Sequence, residues 1–109
     1  KIKTFTTYNE PAGADGMAIL NIHDGTGQEV QLILTDFTPD NLYLPVLWNG
    51  IDGPGNSEYN AFGAFNTNGQ GNGTWHQDIG TLYAWPCLRI YNVEGDQQAD
   101  LRAQGCVAS

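Results

Sequence analysis

Nowhere in this chain do apolar residues recur at intervals of three and four over ten or more positions, and that constrains the fold more than any motif. Helix is therefore not expected. Apolar residues alternate with polar ones in short runs instead. Val30, Leu32 and Leu34 lie opposite Glu29, Gln31, Ile33 and Thr35, and Ala18, Leu20 and Ile22 lie opposite Ile19, Asn21 and His23. A period of two marks strands with one face buried. Glycine or proline ends each run. The expected fold is all-β, an antiparallel sandwich or barrel of about eight or nine short strands.

The stretch from Asn60 to Ile79 organises the chain. Phe62 and Phe65 precede a turn of Asn, Gly and Gln, after which Trp75, Gln77 and Ile79 alternate with Thr74, His76 and Asp78. This predicts a hairpin, with Gly69, Gly71 and Gly73 free to take positive φ. Upstream, Lys1 to Tyr8 reads as a strand, and the Pro- and Gly-containing stretch that follows as a hinge. Residues 1–16 thus form a strand and hinge ahead of a sandwich domain at 17–109. Met17 to His23 and Gln28 to Thr35 should pair as a hairpin through the turn at Asp24 to Gly27. Leu42 to Asn49 is a denser strand in which Pro45 predicts a sheet edge or a bulge. Gly50 to Glu58 is the most loop-like segment. Thr81 to Trp85, Leu88 to Val93 and Ala99 to Ala103 complete the expected strands.

Twelve acidic residues face four basic ones, Lys1, Lys3, Arg89 and Arg102, for a net charge of -8. From Thr4 to Leu88 there is no cation, so neither nucleic acid nor an anionic membrane is an expected partner. No apolar run approaches the roughly 20 residues of a membrane span. The missing initiator Met suggests a processed chain. Cys87 and Cys106, outside any CxxC pair, suit one intrachain disulfide in a secreted protein. Asn72-Gly73-Thr74 is a glycosylation sequon on a turn.

The runs Ala18 to Ile22 and Val30 to Leu34, then Leu42-Tyr43 with Trp48, and Phe62-Gly63-Ala64-Phe65 with Asn68-Gly69-Gln70-Gly71, resemble small secreted immunoglobulin-like sandwich modules. The resemblance spans about Met17 to Ile79 and implies fold alone, an antiparallel immunoglobulin-like or jelly-roll-type β-sandwich.

No reaction is written in the chain. His23 and His76 lie among polar neighbours, and neither Ser57 nor Ser109 occupies a nucleophile elbow. Asp52, Glu58 and Asp78 are loop-side carboxylates without an evident cleft for glycosidase chemistry. No cofactor is expected, although Asp52, Asn56 and Glu58 place three oxygen donors in seven residues, a pattern suited to calcium. Two non-enzymatic functions fit. The first is a structural subunit, a homopolymer built by donating the N-terminal strand to a neighbour. That strand would bury Ile2, Thr4, Thr6 and Tyr8, or else the opposite face with Phe5. The second is a polysaccharide-binding module with Trp48, Tyr59, Trp75 and Trp85 as a stacking platform.

Overall fold

The computed structural model describes residues 2–23, 27–59, 63–79 and 85–107. Among these residues nine strands form two antiparallel sheets. The first sheet contains β2 (Asp15–His23), β3 (Gly27–Thr35) and β7 (Gly73–Ile79), in the order β2-β3-β7. The second contains β1 (Thr6–Thr7), β4 (Leu42–Trp48), β5 (Glu58–Tyr59), β6 (Phe65–Asn66), β8 (Cys87–Glu94) and β9 (Gln97–Cys106). Its order is β1-β9-β8-β4-β5, with β6 also on β4. The fold is an all-β sandwich.

The alternation read in the sequence selects the inner faces. Val30, Leu32 and Leu34 are buried while Gln31, Ile33 and Thr35 are exposed, and Ala18 faces inward from β2. From the opposite sheet come Tyr43, Leu47, Leu88, Ile90 and Ala103. An aromatic series bridges the two layers. Phe37 meets Tyr43 edge-on at 5.5 Å, Tyr43 lies 6.5 Å from Phe65, and Phe65 stacks on Trp75 of the first sheet at 6.5 Å. Such contacts add to the burial of large ring surfaces.

The β2–β3 hairpin forms in full register from Asp15↔Thr35 to His23↔Gly27. Its turn residues 24–26, like residues 60–62 and 80–84 of two other expected strands, lie outside the described residues. The expected hairpin across residues 60–79 does not form. β6 pairs with β4 through Tyr43↔Phe65, whereas β7 pairs with β3 through Leu32↔Trp75, so the intervening turn crosses between sheets. Gly71 explains the crossing: at φ 81° its backbone lies against Phe37, where a Cβ would collide with the Phe37 carbonyl. Phe37 N–H donates to the Gly71 carbonyl at 2.9 Å, and Asp40 N–H to that of Asn68 at 3.0 Å. The turn is thereby tied to the β3–β4 connection instead of closing a hairpin.

Pro45 lies inside the sheet, opposite Ile90 of β8. On its other side β6 pairs with residues 42–43 and β5 with residues 47–48, so among the described residues the proline meets no ladder there. The lost donor falls in that gap. The last strand is longer than expected. It runs to Cys106, which stands directly opposite Cys87 and is bonded to it.

Candidate functional site

The N-terminal segment departs furthest from the sequence reading. Among its described residues only Thr6 and Thr7 form a strand, paired with Gln104 and Ala103 of β9. Ile2 bridges to Ala18 of the other sheet, donating at 2.7 Å and accepting at 2.9 Å. Residues 2–8 therefore pass from the edge of one sheet to the edge of the other, and the crossing breaks the alternation. Ile2 and Phe5 are buried, while Thr4 and Thr6 are exposed and Tyr8 is half-buried with its hydroxyl accepting from Gln104 Nε2 at 2.9 Å. Neither of the two expected faces is the buried one.

Two glycines receive this arm. A Cβ on Gly16 would come within 2.9 Å of the Phe5 ring, and one on Gly105 within 2.9 Å of Ile2 Cγ2 and 3.1 Å of Phe5. Ile2 and Phe5 thus seat in notches that any larger residue would fill. Past the arm, the predicted hinge is anchored. The Glu10 side chain has no solvent exposure; it accepts from Thr38 N–H at 2.8 Å, Thr38 Oγ1 at 3.1 Å, Tyr43 Oη at 2.9 Å and Arg102 Nε at 2.7 Å. Burial, reinforced by the Glu10 charge, raises the Tyr43 pKa. What remains of the hinge is the exposed turn at residues 11–13, since β2 already begins at Asp15.

The calcium candidates do meet, but around a guanidinium. Asp52 and Glu58 both pair with Arg89, and Asn56 Oδ1 accepts from Trp48 Nε1 at 2.8 Å. Arg89 already supplies the positive charge there and lies 3.9 Å above the Trp48 ring. Glu58 also accepts from the Tyr91 hydroxyl at 2.6 Å. Burial first, and then the hydrogen bond and charge of Glu58, push the Tyr91 pKa up to about 12.

The four platform aromatics are dispersed. Trp48 is buried on the outer side of the second sheet beneath residues 49–57, whereas Tyr59, Trp75 and Trp85 pack against the core. Asn72 is half-buried in the crossing turn, its Oδ1 accepting from Asp36 N–H at 3.1 Å. His76 and Asp78 are exposed on the outer face of β7; the side chain of His23 is outside the described residues. The sequence reading missed Glu10, Gly16 and Gly105. Gly16 was visible as part of a glycine-containing stretch, but nothing local marks Gly105 as the floor of a groove.

An all-β antiparallel sandwich with a terminal arm laid across its two sheets is the class that fold and groove define. Comparison with known proteins finds no matching family model, no matching curated protein and no matching solved structure.

Proposed function

We propose that this chain is a secreted, non-catalytic structural subunit, an immunoglobulin-like module that polymerises by giving its N-terminal arm to a neighbouring copy. The fit between arm and groove carries the reading: Ile2 and Phe5 enter notches at Gly16 and Gly105, and only an exposed turn joins the arm to β2. Residues 2–10 supply one side of every arm contact described above and residues 14–107 the other. An identical neighbour therefore offers the same groove, and exchange changes the turn but not the contacts. Repeated head to tail, such an exchange yields an open filament. The single disulfide supports an oxidising, extracytoplasmic setting.

Sizing and negative-stain microscopy of the full chain test the reading. Polymers are expected. Deleting residues 1–8 should abolish them, and a synthetic peptide of residues 1–10 should occupy the vacated groove of the truncated chain as a one-to-one complex. A full-length chain that stays monomeric at high concentration, with truncation merely lowering its stability, would make the arm an ordinary edge segment.

A further inference from the structure

The outer face of the three-stranded sheet carries a second constellation, separate from the arm. Register places Asn21, Glu29 and Asp78 in one cross-strand row and Ile19, Gln31 and His76 in the next. Glu29 and Asp78 are thus directly opposed carboxylates on neighbouring strands, an arrangement that destabilises a sheet unless a positive charge offsets it. No Lys or Arg occurs in β2, β3 or β7, and Arg89 and Arg102 are engaged on the other sheet. The group that does approach is an imidazole. His76 Nε2 lies 3.6 Å from one Glu29 oxygen, and Gln31 Nε2 approaches the other at 3.4 Å. One ligand atom from each of Glu29, His76 and Asp78 lies within 4.8 Å of the other two.

We propose that Glu29, His76 and Asp78 form a surface site for a divalent cation of the zinc class. One imidazole nitrogen and two carboxylate oxygens are the donors such ions take, at about 2.0–2.2 Å, so that ligands of a shared tetrahedral ion stand roughly 3.3 Å apart. Small side-chain rotations close the remaining gap. Glu29 and Asp78 face each other across one ladder, and His76 lies two residues before Asp78 on the same face, so the backbone already holds the three ligands together. The outward direction leaves a fourth position for water. Calcium and magnesium, which take oxygen ligands, gain nothing from the imidazole. The ion would neutralise the opposed carboxylates that no cationic side chain in the sheet offsets.

Titration of the full chain with zinc chloride, followed by calorimetry and by backbone amide resonances, tests the site. One ion per chain is expected, with the largest resonance shifts at Glu29, His76 and Asp78. His76→Gln and Asp78→Asn should each weaken binding by about tenfold or more, at least what loss of a group merely supporting a ligand costs. Both residues are exposed, so the variants should keep the parent circular dichroism spectrum. Excess calcium should leave the three resonances in place. Absence of saturable zinc binding overturns the proposal. So does binding that survives both His76→Gln and Asp78→Asn.

Discussion

Glu10 is one of twelve acidic residues in the sequence, placed before a proline in what reads as a linker. Among the described residues it is the most deeply committed of them, with no side-chain exposure. A carboxylate withdrawn from water must recover its lost hydration from fixed donors, and Glu10 does so through Thr38, Tyr43 and Arg102. Those partners are 28, 33 and 92 residues away along the chain, so no local pattern could announce them. Glu10→Gln keeps the shape of the side chain but leaves the Arg102 guanidinium, only 15% exposed, without its counter-charge. Stability should fall by about 2–3 kcal/mol in urea denaturation. A change under about 0.5 kcal/mol, the usual range for a surface substitution, would mean that the anchor contributes little.

At the scale of elements, the segment between β4 and β5 reads as a flexible acidic loop yet lies as a cover over the outer face of the second sheet. Trp48 Nε1 donates to the Ile51 carbonyl at 3.1 Å, Asn49 Oδ1 accepts from Ile51 and Ser57 N–H, and Gly50 rests near the disulfide sulfurs. Glycine and proline spacing revealed the irregular backbone. It did not reveal what the loop would cover, because Trp48, Arg89 and Tyr91 come from strands paired only in the fold. The Tyr91–Glu58 hydrogen bond makes the cover sensitive to alkali. The Tyr91 pKa is raised from 10.0 to about 12, so the folded state holds this proton more tightly than the unfolded chain. Its contribution to stability is then fully present below about pH 10 and is lost as pH rises from 10 towards 12. Urea midpoints measured across that window should decline in the parent and decline less in Tyr91→Phe, with Tyr43 retaining part of the slope. Parallel curves for the two proteins would show that Tyr91 does not carry the effect.

For the whole molecule, the net charge of -8 bears on the proposed assembly more than on folding. Under the proposed arm exchange, copies brought together would repel one another, and salt would screen that repulsion over a Debye length of about 10 Å at 0.1 M. Polymerisation followed by light scattering should begin at lower protein concentration as sodium chloride is raised. An onset that rises with salt would point to ion pairs, not buried side chains, as the force joining subunits.

Legible in the sequence were the all-β class, the β2–β3 hairpin and the alternating faces of β3, β7 and β8, with an intrachain Cys87–Cys106 bond as the simplest of the arrangements that two cysteines allow. These rest on period-two alternation and turn chemistry, properties carried by residues a few positions apart. Tertiary structure alone decided that β6 and β7 part into different sheets, that Ile2 and Phe5 share a groove, that Trp48 is covered, and that Glu10 is enclosed. A strand's pattern separates its two faces but does not name its neighbours. Those neighbours are set by contacts between residues distant in the chain, such as Gly71 against Phe37 and Gly105 beneath Ile2, where a single Cβ would forbid the packing.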